Sequence, residues 1–296
     1  MIQRNTMKGI GLTAGAGMIF GFFPIFTSLY VQFGGDLDSY NFYGYVLTVV
    51  FLGIYMLVKK VSFAVPGKSI LFLVVAGLFN MVTRVLLTYS YLYLDVGIAT
   101  TLHFMYPIFA AVLGSVFFRD KMPVYKWIVF AVASGSVSLF ATDFSGSVQL
   151  QGILLALASA VCFALYMLTT EKTGLAEIDP LTFVFYLSLV SMAGCGAMNL
   201  WKGQLIVAVP GKALLVLLLC AIVNNVVGFA LQQQGMRYLG AAMAALFSLF
   251  EPIFSCIFGA VFLAQTMGLK AVAGILLILL SLVTMVLLDN KKSSVS

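Results

Sequence analysis

Long apolar stretches alternate with short polar segments along the whole chain. Each apolar stretch has the length of about 20 residues that a helix needs to cross a bilayer. The apolar positions are also continuous, whereas the strands of a membrane barrel would alternate apolar and polar residues. The pattern predicts about ten transmembrane helices. We place them at residues 8–31, 41–58, 69–92, 96–118, 124–142, 150–171, 181–201, 212–234, 240–264 and 269–288.

Composition excludes a water-soluble domain. Hydrophobic residues make up 62% of the 296 residues and charged residues only 9%, and the mean hydropathy is +1.10. A soluble globule of this size could not cover so much apolar surface. In hydrocarbon the backbone must satisfy its own hydrogen bonds, which helices do within one segment. The sequence therefore predicts an all-α, polytopic membrane protein.

The second half of the chain repeats the first. Residues 71–122 align without gaps with residues 216–267, so that Pro107 matches Pro252 at an offset of 145 residues. Asn80 matches Asn225 in the same alignment. One period holds five predicted helices, an odd number, and the second copy must therefore enter the membrane in the opposite orientation. We predict two inverted five-helix repeats, residues 1–143 and 144–296, that form one membrane domain.

The positive charges collect on one side of the predicted helices. With a cytoplasmic N-terminus, the opposite side receives only Lys202, Lys212 and Lys270. The positive-inside rule then predicts an inner-membrane protein with both termini in the cytoplasm. The net charge of +6 reflects this topology, and we expect no nucleic-acid partner. The predicted cytoplasmic cations are Arg4, Lys8, Lys59, Lys60, Lys68, Arg119, Lys121, Lys126, Lys172, Arg237, Lys291 and Lys292.

Three ionisable residues lie well inside predicted helices: Arg84, His103 and Glu251. A charged side chain at the bilayer centre costs about 2.5–3.5 kcal/mol on insertion scales, so such residues usually face a cavity and serve function. None has an ionisable counterpart in the other repeat, where Phe229, Ser248 and Tyr106 take the equivalent positions. This asymmetry favours a role in substrate binding. We predict that the three residues line one cavity in the central third of the membrane.

Polar residues at helical spacing mark two faces of this predicted cavity. Amides on both faces need a polar environment, and a planar guanidinium is suited to gripping a carboxylate with two hydrogen bonds. We therefore expect Arg84 to bind a substrate carboxylate; the alternative is a structural ion pair between Arg84 and Glu251. The first face comprises Asn80, Arg84, Thr88 and Tyr91, and the second comprises Asn225, Gly228, Gln232 and Gly235.

The other polar residues of the cavity leave several roles open. Glu251 could bind a substrate amine, carry a coupling proton or neutralise Arg84. His103 could carry a proton, because histidine titrates near pH 6.5, or stay neutral and bond to Thr100 or Tyr106. We place the rings of Tyr106 and Tyr166 in the cavity, where they could accept an amphipathic substrate.

No pattern of residues indicates an enzyme, a cofactor or a metal centre. The cysteines at 162, 195, 220 and 256 fall inside apolar runs without metal-ligand spacing, and we interpret them as small core residues. His103 is the single histidine. No nucleophile is paired with a base.

Proline and glycine positions predict details of helix shape and packing. Pro24, Pro107 and Pro252 lie within or near predicted helices and could kink them. Gly11 with Gly15, and Gly17 with Gly21, have the spacing that allows two helices to approach closely.

Several segments of the chain resemble the ten-helix, EamA-like branch of the drug/metabolite transporter superfamily. The resemblance implies a small-metabolite carrier, often an exporter, with a central cavity between two four-helix cores and with the fifth and tenth helices at the periphery. The segments that carry it are Gly9-Ile10 to Phe20-Gly21, Gly152-Ile153 to Phe163-Ala164, Asp179-Pro180-Leu181-Thr182-Phe183, Tyr93-Leu94 with Ala99 and Pro107-Ile108-Phe109, and Glu251-Pro252.

Together these features predict a secondary transporter that works by alternating access. We expect it to export amino acids or similar small carboxylate-bearing metabolites, because one intramembrane cation matches one carboxylate. The alternative is an efflux carrier for drugs or organic cations, in which Glu251 is the main contact. Phosphate esters would require more Lys or Arg in the cavity. The expected partners are the small-molecule substrate and the bilayer; proton coupling and the choice between monomer and homodimer stay open.

Overall fold

A computed structural model describes residues 2–94, 96–119, 122–140, 149–203, 209–263 and 268–293. Within these ranges the chain forms helices joined by turns, and no strand occurs. The prediction of an all-α membrane protein is confirmed. The predicted boundary between the halves, at residue 143, lies outside the described residues.

The helices follow one another through short connections. In chain order they are α1 (Ile2–Phe20), α2 (Phe23–Gln32), α3 (Leu37–Lys59), α4 (Gly67–Ser90), α5 (Val96–His103), α6 (Tyr106–Phe118), α7 (Val124–Ser136), α8 (Leu150–Lys172), α9 (Pro180–Trp201), α10 (Gly211–Cys220), α11 (Phe229–Leu239), α12 (Ala241–Phe247), α13 (Phe250–Leu263) and α14 (Leu269–Ser293). A π-helix, Ala221–Gly228, joins α10 to α11, and short 3₁₀ helices follow α7 and α8 at Val137–Phe140 and Leu175–Glu177.

These helices make up ten consecutive spans, as predicted. Spans 2, 3, 6, 7 and 10 are the continuous helices α3, α4, α8, α9 and α14. Spans 1, 4 and 9 are the broken pairs α1/α2, α5/α6 and α12/α13. Span 5 is α7 with its 3₁₀ extension, and span 8 is α10, the π-helix and α11. Seven spans of the described chain are by themselves long and apolar enough to cross a membrane, and span 9 and span 10 contain shorter apolar helices.

The three breaks within spans coincide with prolines, as the sequence predicted. Pro24, Pro107 and Pro252 each lie in the first turn of the helix that follows the break. Proline lacks the N–H that would bond to the preceding turn, and its ring clashes there, so it is tolerated at a helix start and interrupts a helix interior. The chain passes each break through a tighter turn, in which the backbone N–H groups of Phe22, Met105 and Leu249 donate to the carbonyl oxygens of Ile19, Leu102 and Leu246.

The two repeats pack as mutual counterparts. Span 1 packs along span 8, and their counterparts in the other repeat, spans 6 and 3, pack along each other in the same way. Span 2 packs against its own counterpart, span 7. A Cβ added to Gly9 would lie 2.8 Å from Cγ of Leu239, and one added to Gly152 would lie 2.6 Å from Cγ of Leu94. Leu94 and Leu239 are equivalent positions of the repeat, so glycine makes the same close contact twice.

A second close approach joins span 1 to span 9. A Cβ on Gly17 would lie 3.0 Å from the backbone nitrogen of Glu251, and one on Gly21 would lie 2.9 Å from that of Ser255. The predicted contact of this glycine pair is therefore present. Gly11 has no neighbouring atom within 4 Å of such a Cβ, and a Cβ on Gly15 would lie 3.7 Å from Cδ1 of Leu231, which is an ordinary van der Waals distance. The prediction of a close approach is therefore wrong for this pair, because Gly11 meets no neighbouring helix and Gly15 has room for a side chain.

The bundle has two ends that differ in their contacts. We call the end formed by residues 59–66, 171–179 and 233–241 the Gln233 end, and the end formed by residues 33–38, 89–94 and 201–203 the Asp38 end. Consecutive spans run between these two ends in alternating directions.

Candidate functional site

A cavity of about 70 Å³ lies between the two halves, where seven spans converge. A cavity of this size has room for several water molecules. The residues that line it are Phe20, Phe23, Tyr45, Asn80, Thr83, Arg84, Leu87, His103, Phe163, Asn224, Asn225, Phe229 and Glu251. The structure thus brings together five of the predicted site residues, Arg84, His103, Glu251, Asn80 and Asn225.

Arg84 is held by side chains from both halves. Its Nε donates to Oδ1 of Asn41 over 3.2 Å, and its Nη1 donates to Oδ1 of Asn225 over 3.0 Å. Its Nη2 lies 3.8 Å from the Sγ of Cys220. Arg84 is 7% exposed. The cysteine therefore contributes a polar contact here, in addition to the packing role that its apolar surroundings predicted.

The two asparagines are themselves fixed so that their oxygens face the guanidinium. Asn41 donates from Nδ2 to Oγ1 of Thr88, and Asn225 donates from Nδ2 to Oγ1 of Thr48, each over 2.9 Å. Because each amide nitrogen is used in this way, each amide oxygen is left to accept from Arg84. The network joins spans 2, 3 and 8.

Three aromatic rings surround the same guanidinium. Its Cζ lies 4.8 Å from the ring centre of Tyr40, 4.9 Å from that of Tyr45 and 5.3 Å from that of Phe23. Cation–π attraction strengthens when the cation is removed from water. The Tyr45 hydroxyl also donates to Oδ1 of Asn80 over 2.9 Å. The charge of Arg84 is thus stabilised by amides and rings.

Glu251 lines the cavity without a partner for its carboxylate in the part of the chain that the structure describes. It lies in the first turn of α13, where the close approach of Gly17 fixes the backbone. No ion pair joins it to Arg84, although both residues are described and line the same cavity. The arrangement therefore differs from a structural ion pair between these two residues.

His103 bonds to the second repeat. Its Nδ1 lies 2.9 Å from Oγ of Ser159, whose hydroxyl donates to the carbonyl oxygen of Ala156 over 2.6 Å. Because the serine hydrogen is used on Ala156, the histidine supplies the hydrogen at Nδ1, which leaves Nε2 as an acceptor. The partner that holds the ring is Ser159, in place of the expected Thr100 or Tyr106. The ring centre of Tyr106 lies 5.4 Å from that of His103.

Three predicted site residues, Tyr106, Tyr166 and Gln232, do not line the cavity. All three are fully buried, and their polar side-chain atoms have no hydrogen-bond partner in the described structure. Tyr106 and Tyr166 pack behind the cavity-lining ring of Phe163, with ring centres 4.8 and 5.5 Å away. Tyr106 in α6, Tyr166 in α8 and Gln232 in α11 each lie about one helical turn beyond a cavity-lining residue, His103, Phe163 or Phe229, toward the Gln233 end. The expectation that Tyr106 and Tyr166 line the cavity is wrong for this conformation, because the ring of Phe163 packs against both and lines the cavity itself. Gln232 is likewise absent from the lining.

The Gln233 end is closed by a connection between spans 6, 7 and 8. Gln233 Nε2 lies 3.0, 3.1 and 2.9 Å from the carbonyl oxygens of Leu175, Ala176 and Ile178. Leu175 and Ala176 are buried beneath it. Nearby, Glu171 accepts from the backbone nitrogen of Ala241 over 3.0 Å. The Gln233 contacts hold the α8–α9 loop against span 8, and the Glu171 contact joins α8 to the start of span 9.

The Asp38 end contains an open cleft of about 790 Å³ between α2, the following loop and the end of α4. Beside it Lys202 forms an ion pair with Asp38 at 3.0 Å, and Tyr89 donates to Asp38 over 2.6 Å and contacts Lys202. Burial lowers the pKa of Lys202, but the hydrogen bonds to Tyr89 and Asp38 outweigh burial and raise the pKa overall. Pro24 lines the cleft and its neighbour Phe23 lines the cavity, so the two spaces flank one turn of α2.

Sequence reasoning did not find Asn41, Tyr45 and Asn224. Asn41 lies outside the aligned residues, and Tyr45 resembles any other aromatic of an apolar helix. Asn224 has Phe79 as its counterpart in the other repeat. The adjacent pair Asn224-Asn225 in an apolar run was the one available signal, since two consecutive amides in a membrane helix cannot both face lipid.

Comparison with known proteins agrees with this architecture. The model of the EamA-like transporter family matches twice, at residues 7–142 and 150–287. The chain is 24% identical over 229 residues to the uncharacterized transporter sll1319 of Synechocystis sp., covering 74% of this chain and 67% of that protein. It is 26% identical over 208 residues to the uncharacterized transporter YvbV of Bacillus subtilis, covering 68% of this chain and 65% of YvbV.

A third relative and a solved structure extend the comparison. An uncharacterized transporter of Archaeoglobus fulgidus is 25% identical over 209 residues, covering 70% of this chain and 74% of the relative. One crystal structure of a protein matches the fold with a TM-score of 0.78 at 14% identity, covering 96% of this chain and 98% of its own. Because the family model matches almost the whole chain, in two copies, the protein is a multi-pass membrane transporter that belongs to the EamA-like transporter family.

Proposed function

We propose that the protein exports amino acids or closely similar small zwitterions by alternating access. The observation that supports this proposal most directly is that a guanidinium and a carboxyl group line one cavity without contacting each other. Arg84 and Glu251 both line it, and no ion pair joins them. An α-amino acid carries a carboxylate and an ammonium group, and it complements both.

The donors of Arg84 are compatible with this role. A guanidinium has five N–H groups, and the protein engages three of its nitrogens once each, through Asn41, Asn225 and Cys220. Two N–H groups stay available for a substrate carboxylate. Glu251 has all of its acceptor capacity available among the described residues, which suits the three N–H groups of a substrate ammonium.

The unequal ends of the bundle support alternating access. The Gln233 end is sealed by the Gln233 contacts, whereas the Asp38 end has an open cleft. By the distribution of Lys and Arg the Gln233 end faces the cytoplasm, so we interpret this conformation as outward-facing. Reporter fusions test the orientation: green fluorescent protein fused after Lys60 should fluoresce, and alkaline phosphatase fused after Gly203 should be active. The opposite pattern would reverse the proposed orientation.

The rival function is efflux of organic cations, and one observation favours it. Among the described residues the Glu251 carboxylate has no hydrogen-bond partner, while Arg84 already has several. A monovalent cation could use Glu251 and the rings of Phe20, Phe163 and Phe229, and would leave Arg84 to hold the helices together.

A ligand screen separates the two functions. A ligand that binds only the native state raises the apparent melting temperature of the purified protein. We expect stabilisation by individual L-amino acids and none by organic cations or phosphorylated metabolites, and we expect Arg84→Ala to abolish the effect in folded protein. Stabilisation by organic cations alone, unchanged in Arg84→Ala, would establish the rival.

A further inference from the structure

Asn224 is a buried amide whose hydrogen-bonding capacity is unused. Its side chain is 2% exposed, and neither Oδ1 nor Nδ2 has a partner in the described structure. Burial of an amide without a partner is unfavourable, because its hydrogen bonds to water are lost and nothing replaces them. Such a group is retained where a ligand or an ordered water completes it.

The next residue, Asn225, is an amide with a structural role in the same helical segment. Asn225 accepts from Arg84 and donates to Thr48 at 2.9 Å, with the carbonyl oxygen of Gly44 at 3.4 Å. Its donor and acceptor are both used to join spans. Asn224 makes no such connection, although its side chain is equally buried, so packing between spans does not explain its polarity.

Asn224 lies at the candidate site. It lines the cavity together with Arg84, His103 and Glu251. It lies in the π-helical segment Ala221–Gly228, and π-helical turns inside α-helices are frequent at functional sites. In the other repeat the equivalent residue is Phe79, so only one half of the protein presents this amide.

Other unpartnered polar groups do not share this position. Tyr106, Tyr166 and Gln232 are also buried without partners, but none lines the cavity. Among the unpartnered buried groups of the described chain, Asn224 is the one that lines the space a substrate would enter.

The chemistry of the amide restricts what it can recognise. A carboxamide presents one acceptor oxygen and a donor nitrogen side by side. Both are satisfied together by a ligand group that donates and accepts, such as another carboxamide or a hydroxyl. An apolar ligand side chain would leave both atoms unpaired, and sites built to bond a polar group reject analogues that lack it.

We propose that Asn224 forms hydrogen bonds to the side chain of the transported amino acid. The carrier then prefers amino acids with an amide or hydroxyl side chain over apolar amino acids of the same shape. The inference rests on the proposed function, since it assigns the substrate class of that same site. Arg84 and Glu251 hold the carboxylate and the ammonium group, and Asn224 selects the side chain.

Two isosteric pairs of ligands test this inference. The pairs are L-asparagine with L-leucine and L-threonine with L-valine, and the affinity of each is measured by isothermal titration to purified wild-type protein and to Asn224→Leu. In the wild type we expect the polar member of each pair to bind on the order of tenfold more tightly or better. In Asn224→Leu the ratio should fall to about one or reverse.

Stability measurements keep the variant interpretable. Asn224→Leu removes no protein hydrogen bond, so its melting temperature without ligand should equal or exceed that of the wild type. The matched variant Asn225→Leu removes the bonds to Arg84 and Thr48, so it should lower the melting temperature and weaken both members of a pair together.

The outcomes distinguish the two proposals. Equal ratios in the wild type and Asn224→Leu, with both members bound, would overturn the role of Asn224 and leave the proposed function standing. That result would assign the amide to an ordered water. A wild type that binds neither member of either pair would overturn the proposed function and this inference with it.

Discussion

Arg84 in span 3 donates from Nη1 to Oδ1 of Asn225 in span 8 over 3.0 Å. Asn225 is the counterpart of Asn80 in the repeat, so both halves have an amide at this position. Arg84 has no such counterpart, since the equivalent residue of the second half is Phe229. The charge of Arg84, which occurs in one half only, is thus bonded to a residue that both repeats share, at the interface of the two halves.

Arg84→Lys should lower both stability and affinity, although it keeps the charge. A lysine ammonium is a compact charge on a flexible stem and cannot reach Asn41, Asn225 and Cys220 at once. A buried acceptor left without its donor costs about 1–3 kcal/mol, so we expect a clear fall in melting temperature. Amino acid binding should also weaken on the order of tenfold or more, because the two-point grip on the carboxylate is lost.

Matched measurements on Arg84→Lys use thermal unfolding and isothermal titration of the same preparation. Lys68→Arg, at the exposed start of α4, is the control for exchanging the two cations and should change neither quantity. Wild-type stability and affinity in Arg84→Lys would contradict the fixed, three-way hold on the guanidinium.

Glu251→Gln should reduce affinity without reducing stability. Hydrogen bonds to a charged group contribute about 1.5–3 kcal/mol, so losing the negative charge should raise the Kd of an amino acid roughly 10- to 150-fold. The empty protein should keep or gain stability, because the carboxylate has no partner among the described residues and burial of a lone charge is unfavourable.

Glu171→Gln provides the control for Glu251→Gln, since Glu171 lies at the Gln233 end and bonds to the backbone of Ala241. The affinity of Glu171→Gln for amino acids should match that of the wild type. If Glu251→Gln binds amino acids as tightly as the wild type does, Glu251 is not the ammonium contact.

Much of this architecture follows from local sequence patterns. The apolar runs located the spans, and prolines 24, 107 and 252 located their breaks, because both effects act within a few residues. The stripe Asn80, Arg84 and Thr88 predicted a buried polar face on span 3, and all three are buried.

Contacts between distant segments could not be predicted in the same way. Glu251 and Arg84 are 167 positions apart, and their charges suggested an ion pair as readily as two separate contacts. Gln232 and Tyr166 carried the right chemistry for a cavity, but neither lines it. The rings of Phe163 and Phe229, which do line it, pack against Tyr166. Which side of a helix meets the cavity depends on how the two halves pack, and no local pattern encodes that.

Gln233→Leu should loosen the closed end of the bundle. Three loop carbonyls, those of Leu175, Ala176 and Ile178, lose the donor that holds them. Hydrogen–deuterium exchange of the amides of residues 174–178 should accelerate on the order of tenfold or more, as expected for about 1–3 kcal/mol of lost bonding.

Gln234→Leu is the matched control for Gln233→Leu. Among the described residues the side chain of Gln234 donates a hydrogen bond only to the carbonyl oxygen of Ala230 in its own helix, over 3.4 Å, so exchange in residues 174–178 should stay as in the wild type. The same exchange rates in all three proteins would show that Gln233 does not hold this loop.

Gly9→Ala and Gly152→Ala should destabilise the protein by similar amounts. Each added Cβ would lie within 2.8 Å of a leucine in the opposite half, Leu239 or Leu94. Overpacking of this kind costs about 1–3 kcal/mol, and the equivalence of the two contacts predicts similar losses of melting temperature.

Gly11→Ala is the control for this pair, because nothing lies within 4 Å of its added Cβ. Alanine favours a helix over glycine by about 0.5–1 kcal/mol, so this variant should be neutral or slightly stabilised. If Gly9→Ala alone is harmful, the two contacts are not equivalent.

Counterflow in proteoliposomes tests most directly whether Arg84 and Glu251 together bind a zwitterion. Vesicles containing the protein are loaded with the best stabilising L-amino acid, and uptake of the same labelled amino acid is competed with its methyl ester, which lacks the carboxylate, and its N-acetyl derivative, which lacks the ammonium group. We predict that the unlabelled amino acid competes and that neither derivative does. Competition by the methyl ester as strong as that by the parent amino acid would contradict the role of Arg84 and identify a carrier of organic cations.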